Sequence, residues 1–376
     1  IAGGWGGGTF VGSVGVTLNN LSIKNFFKKG AWRPYPMGQN QRLSISAQTN
    51  GTYYKAFAIS FTDPWMGGRK PNSFTISAHY SDENNAYYAW QKGTRYFRTA
   101  GVAAGLGKRL DWPDPYFTFY AEASYERYML KDWNTFVLKN GAANLLSIRL
   151  VLGRNSVDQP IYPRRGSDFS VSVQLTPPYS LWDGKDYKST ALSEQERYNW
   201  IEFHKWMLKG QWFTPLTRNG NLVLMARAEM GYLGHYNKNK VSPFERFEVG
   251  GDGMTGYNMY GIDIISMRGY DDGALDPVGS NYSCAYNKYT MELRYPLLLK
   301  GQTNIYVLGF LEGGNGFTSW KEFSPFKIKR SAGIGVRLFL PVVGMVGVDW
   351  GWGFDPAAGQ TKRSGSHIHF TMGMQF

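Results

Sequence analysis

The histidines are the side chains of this sequence that could most readily bind a metal or transfer a proton. There are five in 376 residues: His79, His204, His235, His367 and His369. Only the last two are close in sequence, and two residues apart on a strand they would share one face and could bind a metal together. No cysteine, aspartate or glutamate accompanies them between 356 and 376. A pair of solvated histidines in a polar interior is therefore the favoured interpretation.

Motifs for covalent or cofactor chemistry are not found either. The chain contains no Gly-x-Ser-x-Gly segment, and the glycines at Gly333 and Gly335 are not followed by a helical pattern, as a dinucleotide fingerprint requires. Cys284 is the single cysteine, so an intrachain disulfide cannot form. We therefore expect no enzymatic activity, no catalytic residue, no metal and no cofactor.

The charge balance raises the question of a nucleic-acid partner. Lys and Arg number 41 against 28 Asp and Glu, a net charge of +13. The basic residues are scattered through loops, as at Lys28-Lys29 and Arg164-Arg165, and form no patch interleaved with aromatic residues. Anionic lipid headgroups explain this charge better, and no nucleic-acid partner is expected.

The polar residues stand on predicted strands. The segment from Ser366 to Phe376 alternates strictly, and side chains of a strand point to opposite faces in turn. Its apolar face consists of Ile368, Phe370, Met372, Met374 and Phe376. A chain whose other strands repeat this pattern is typical of a transmembrane β-barrel.

Similar segments recur along the whole chain, separated by turns and loops. We count about sixteen, an even number as a closed antiparallel barrel requires. They are 1–7, 9–20, 41–50, 53–62, 73–82, 94–108, 116–129, 143–153, 167–176, 199–214, 220–234, 286–296, 303–313, 330–340, 344–354 and 366–376. We predict an all-β fold in one domain, 1–376, a transmembrane antiparallel β-barrel; a secreted sandwich or propeller is the alternative.

The charged residues of the strands support this interpretation. In 288–295, apolar and aromatic residues alternate with Lys288, Glu292 and Arg294. A charge on the lipid face costs roughly 2–4 kcal/mol near the bilayer midplane. We therefore expect the charged face to line a polar lumen.

Two segments break the rhythm of strands. Residues 177–198 are polar and charged and predict an outside loop. Residues 235–285 form the longest connection, and their glycines and aromatic residues predict that it packs inside the barrel.

The first predicted strand is a poor strand former. It contains Gly3, Gly4, Trp5, Gly6 and Gly7, and glycine weakens a strand. In a closed barrel the first strand pairs with the last, so this seam would be weak. A lateral gate between 1–7 and 366–376 is one hypothesis; a flexible terminus is the other.

At the level of ordered motifs, the sequence resembles the C-terminal barrel of the BamA family, central subunits of the outer-membrane β-barrel assembly machinery. Met267-Arg268-Gly269-Tyr270 is similar to the Val/Ile-Arg-Gly-Phe/Tyr loop signature of the wider superfamily of assembly and secretion barrels. Further similar segments stand in the family's order: 61–65, 158–167, 243–247, 250–251, 289–296, 310–317, 331–337 and 348–351.

The resemblance implies roles for particular residues. Arg268, within the loop signature that continues through Gly269 and Tyr270, would reach into the lumen and pair with Glu292, and secondly with Glu312. Such an arginine would hold the loop in one conformation, since a buried guanidinium needs carboxylate partners.

The resemblance also implies a function. It predicts insertion and folding of other β-barrel proteins in the outer membrane of a Gram-negative bacterium, through the lateral gate. Its partners would be nascent outer-membrane β-barrel proteins, accessory lipoproteins and outer-membrane lipids including lipopolysaccharide. A two-partner-type secretion pore and an autotransporter-assembly relative are the alternatives; a passive porin is disfavoured by the long loop. The chain begins at Ile1 without periplasmic POTRA repeats, which suggests a fragment of a longer precursor.

Overall fold

The computed structural model of the chain describes residues 2–6, 9–49, 53–68, 72–85, 93–189, 191–253, 261–279, 282–300, 303–340 and 344–372. These residues form eighteen strands, one short α-helix, α1 (Glu194–Tyr198), and three 3-10 turns at Ile23–Asn25, Tyr179–Leu181 and Trp320–Glu322. In the described part of the chain, no helix is both long and apolar enough to cross a membrane.

The strands are β1 (Ala2–Gly6), β2 (Thr9–Leu21), β3 (Gln41–Thr49), β4 (Tyr54–Asp63), β5 (Asn72–Asn84), β6 (Tyr96–Arg109), β7 (Phe117–Lys131), β8 (Gly141–Asn155), β9 (Gly166–Leu175), β10 (His204–Pro215), β11 (Val223–Gly234), β12 (Phe247–Val249), β13 (Asp263–Ile265), β14 (Ala285–Lys300), β15 (Thr303–Phe317), β16 (Lys329–Leu340), β17 (Gly344–Pro356) and β18 (Arg363–Met372).

Sixteen strands form one sheet that follows the chain order from β1 to β18, leaving out β12 and β13. Every neighbouring pair in it is antiparallel. The prediction of an all-β antiparallel architecture with about sixteen strands is confirmed.

The two faces of the sheet differ as the alternation predicts. On β14, Met291 and Leu293 are exposed, whereas Lys288, Glu292 and Arg294 are buried. Because neighbouring side chains of a strand point to opposite faces, the outer surface is apolar and the charges lie on the inner surface. The sheet is therefore built as a membrane-spanning barrel, with lipid-facing residues outside.

The connection between β11 and β14 lies against the inner face of distant strands. Its Phe244 stacks on Tyr128 of β7, with ring centroids 4.5 Å apart. Its Arg268 reaches Glu292 of β14 and Glu312 of β15. Strands so far apart in the sheet can contact one loop only if the sheet curves around it. The main hydrophobic core thus lies between this loop and the inner wall.

Secondary structure within the two long connections was not predicted. The β11–β14 connection contains a two-stranded parallel sheet of β12 and β13. The connection before β10, predicted as an outside loop, contains α1 and buries Tyr187 and Tyr198.

The tenth strand begins at His204 and not at residue 199 as predicted. Residues 199–201 bond instead to Asn144 of β8: Asn144 N donates to Asn199 O, and Ile201 N to Asn144 O, both at 2.8 Å. Ile201 and Phe203 are fully buried in the core. Tertiary packing therefore takes these residues out of the β10–β11 ladder.

Candidate functional site: an arginine-carboxylate cluster on the long loop

The backbone of the β11–β14 connection contacts the backbone of the sheet at Gly269. This residue has φ +86°, and a Cβ there would lie 3.0 Å from Gly353 N on β17. A Cβ at Gly351, also on β17, would lie 2.8 Å from Gly269 N. Glycine on both sides lets two backbones come into contact, because any side chain would separate them. The loop tip is thereby placed directly on the inner wall.

Arg268 is held at this point by carboxylates of two strands. Its Nε and Nη2 donate to Glu312 Oε1 at 3.1 and 2.7 Å, and its backbone N donates to Glu312 Oε2 at 2.9 Å. Nη2 also donates to Glu292 Oε1 at 2.7 Å. Both carboxylates that the resemblance implied thus contact Arg268, and Glu312 accepts more bonds than Glu292, the reverse of the expected order. The guanidinium carbon lies 3.7 Å from the ring centroid of Phe310, a cation–π contact.

A wider set of charges surrounds this arginine. We call it the arginine-carboxylate cluster; its members are Arg268, Lys288, Arg294, Arg337, Glu292, Glu312 and Asp349. Arg294 bonds to Glu292 at 2.6 Å, and Arg337 bonds to Asp349 through two contacts of 2.8 and 2.7 Å. All seven are buried, and four positive groups face three negative ones. Buried charges need such partners, because each unpaired one would cost several kcal/mol of desolvation.

The residues beside Arg268 bind the last strands of the sheet. Gly269 N donates to Nε2 of His369 on β18 at 2.9 Å, and Tyr270 OH donates to Arg330 O on β16 at 2.9 Å. His369 is buried, so the interpretation of a solvated histidine pair is wrong: the loop covers it. His367 Nδ1 lies 3.2 Å from Asp271 Oδ1 of the same loop. In the described ranges, no group of three or more His, Cys, Asp or Glu residues could hold a metal.

A second set of charges holds another part of the loop, and no pattern in the sequence indicated it. Lys205 of β10 places Nζ 2.7 Å from Asp263 Oδ2 and 3.3 Å from Glu245 Oε2. Tyr128 OH donates to Glu245 Oε1 at 3.2 Å. We call these four residues the lysine-carboxylate anchor. Burial raises the pKa of Glu245 above its ordinary value, against the opposing effect of the Lys205 ammonium.

The predicted gate residues lie at the two ends of the sheet. Gly3, Gly4, Trp5 and Gly6 belong to β1, which pairs with β2. Ile368 and Phe370 face outward and are exposed on β18, and Met372 is the last residue of that strand. Gly7, Met374 and Phe376 lie outside the described residues. Over the part of both strands that is described, β1 and β18 are not hydrogen-bonded to each other.

Comparison with known proteins adds the family. The sequence profile of the Omp85 superfamily domain matches residues 37–376. The chain is 23% identical over 258 residues to the outer membrane protein assembly factor BamA of Neisseria meningitidis serogroup B. That alignment covers 63% of this chain and 27% of the relative, so the chain spans about a quarter of that protein's length.

Solved structures show the same fold. BamA from Haemophilus ducreyi lacking POTRA domains 1-3 superposes with a TM-score of 0.66 at 17% identity, over 98% of this chain and 67% of that one. CdiB from Escherichia coli gives a TM-score of 0.56 at 12% identity, over 96% and 58%. CdiB from Acinetobacter baumannii gives 0.55 at 13% identity, over 98% and 57%.

The family match covers nearly the whole barrel, including the strands and the loop that build the arginine-carboxylate cluster. The chain therefore belongs to the Omp85 superfamily and is an integral β-barrel of a Gram-negative outer membrane.

Proposed function

We propose that this protein folds and inserts other β-barrel proteins into the outer membrane through a lateral gate between β1 and β18. The observation that carries the proposal is the position of these two strands at the ends of an otherwise continuous antiparallel sheet. The similarity to the assembly factor BamA in sequence and in fold supports it.

The mechanism uses backbone hydrogen bonds and requires no covalent chemistry. An edge strand presents unpaired N–H and C=O groups, and each such group costs several kcal/mol in hydrocarbon. A strand of an incoming client that pairs with β1 or β18 satisfies them by β-augmentation. The opened seam thus acts as a template that lowers the barrier to insertion. The glycines of the first strand, Gly3, Gly4, Gly6 and Gly7, make any pairing between β1 and β18 weak.

In this proposal the loop holds the barrel wall in place beside the gate. Gly269 bonds to His369 on β18, and Arg268 bonds to β14 and β15. The arginine-carboxylate cluster therefore acts as a lock that fixes the loop to β14 and β15, while Gly269 connects the same loop to β18 at the seam. The described parts of the loop, residues 235–253, 261–279 and 282–284, pack against the inner wall, which favours this proposal over an open porin.

The partners follow from this function. They are nascent outer-membrane β-barrel proteins as clients, with accessory lipoproteins of the assembly machinery and outer-membrane lipids including lipopolysaccharide. The second candidate is a secretion pore of the two-partner type, or an autotransporter-assembly relative. The likeness in fold to CdiB is the observation that favours keeping this candidate.

A photo-crosslinking amino acid at Trp5, in the full-length protein in its native membrane, tests the proposal. We expect it to capture C-terminal strands of many different nascent barrel proteins. Capture of one dedicated secreted protein would favour the secretion pore. Capture of β18 of the same molecule alone would contradict a gate that admits clients. A matched probe at Phe354, outward-facing on β17, should capture lipid and no client strand.

A further inference from the structure

The connection between β2 and β3, residues 22–40, has a defined structure that the proposed function does not use. Ser22 N donates to Pro36 O at 2.9 Å, and Asn25 Nδ2 donates to Met37 O at 3.4 Å. A 3-10 turn at Ile23–Asn25 begins it. These bonds close the two arms of the connection on each other, so its outer side chains are presented from a defined base.

Three aromatic side chains stand out from this base. Phe26 packs edge-on against Phe27 and Trp32, with ring centroids 5.4 and 4.9 Å apart. Trp32 Nε1 donates to Phe26 O at 3.0 Å. All three remain exposed, Phe27 to 92%. An exposed apolar cluster that is held in a defined geometry marks a surface that contacts a membrane or a protein partner.

The same connection is strongly basic. It contains Lys24, Lys28, Lys29 and Arg33 and no acidic residue, and all four side chains are exposed. Cations beside exposed aromatic rings match the boundary of an anionic bilayer. There, aromatic rings sit at headgroup level and basic side chains pair with phosphates.

The position of the connection in the barrel agrees with contact to the surface of a bilayer. In an antiparallel sheet, the β2–β3, β4–β5 and β6–β7 turns lie at the same edge. The latter two turns present exposed Trp65 and Trp112. The outward-facing Val16 of β2 and Ile45 of β3 are also exposed and lead from the lipid face to this edge. The aromatic side chains thus follow the line of an interfacial girdle.

We propose that residues 22–37 form an interfacial anchor that binds the anionic phospholipid leaflet at this edge of the barrel. Phe26, Phe27 and Trp32 enter the headgroup layer, and the four basic residues contact lipid phosphates. The anchor lies beside β2, the strand that holds β1, and so ties the gate-side end of the sheet to the membrane surface. It depends on the membrane-spanning fold and not on the assembly activity.

The test uses the whole barrel reconstituted in vesicles. A fluorescent amino acid replaces Phe27 in one sample and Phe326 in another, and acrylamide quenching is measured in each. Phe326 is a matched control, since it is 90% exposed in a connection at the opposite edge. Vesicles contain phosphatidylcholine alone or with phosphatidylglycerol.

In vesicles with phosphatidylglycerol we expect the probe at residue 27 to be quenched severalfold less than the probe at residue 326. Lys28→Gln and Lys29→Gln should each lower the ratio of inserted to water-exposed probe about fivefold. Equal quenching at both positions, or protection at residue 27 that does not depend on lipid charge, would overturn the proposal. Protection that requires an added soluble protein extract would also overturn it, and would assign the surface to a protein partner.

Discussion

Replacing Arg268 by alanine should release the loop from the inner wall. The side chain makes three hydrogen bonds to carboxylates, two to Glu312 and one to Glu292. After the change, Glu292 keeps its contact with Arg294. Glu312 keeps only Lys288 at 3.8 Å among its charged partners, so the cost falls mainly on this one buried carboxylate.

Removing one partner of a buried ion pair typically costs 3–5 kcal/mol. Because part of the cluster re-pairs, we expect a value at the lower end, about 3 kcal/mol for loop docking. This corresponds to roughly a 100-fold larger population of the undocked loop. Amide hydrogen exchange of residues 261–279 in the reconstituted barrel measures this directly, since exchange from a locally opened state reports the opening free energy.

Arg330→Ala is a suitable control. Arg330 makes a comparable two-bond pair with Asp355, at 3.0 and 2.9 Å, but its side chain is 65% exposed. Solvent screens an exposed ion pair, so loop exchange should rise far less in Arg330→Ala than in Arg268→Ala. Arg268→Lys should lie between the two, because lysine keeps the charge but cannot bond to two carboxylates in the planar geometry of arginine.

If loop exchange in Arg268→Ala rises no more than in Arg330→Ala, the arginine-carboxylate cluster does not hold the loop. The functional proposal has a separate readout. If the loop undocks as expected while client barrels still assemble at the normal rate, the cluster is a structural anchor and the lock hypothesis fails.

Three other changes test different parts of the structure. Gly269→Ala should weaken loop docking by about 1–3 kcal/mol, because Gly269 has a positive φ and contacts the backbone of β17. Gly279→Ala should cost about 1 kcal/mol or less, because Gly279 has φ +77° but open space around it. Hydrogen exchange of the loop compares the two variants. Burial raises the pKa of Asp276 in the loop to about 8, so docking should be strongest below the ordinary value near 3.8 and weaken as the pH rises to about 8. Asp276→Asn should remove this pH dependence of loop docking, as followed by hydrogen exchange of the loop. Equal pH dependence in the Asp276→Asn variant and in the unchanged protein would contradict the prediction. Leu293→Arg on the outer face should lower the free energy of unfolding in vesicles by about 2–4 kcal/mol, whereas Leu293→Met should not. Heat-modifiable gel mobility measures the folded fraction of each variant.

The strand pattern was predictable because it is local. A period of two residues decides which side chains share a face, and the charges of β14 fall on the buried face as the alternation predicted. The same local reasoning failed at residues 199–203, where pairing with β8 and burial of Ile201 and Phe203 outweigh the strand pattern. The parallel β12–β13 pair also escaped prediction, since strands of three residues carry almost no periodic signal.

Local patterns in the sequence predict the class of fold, the approximate number of strands and the faces of those strands, and the resemblance implies the partners of Arg268. Other contacts are visible only in the folded chain: His369 accepts the backbone N–H of Gly269, and Lys205 contacts Glu245 and Asp263. These residues lie 40 to 100 positions apart. Their contact depends on the path of one long loop inside a curved sheet, and no local periodicity encodes that path.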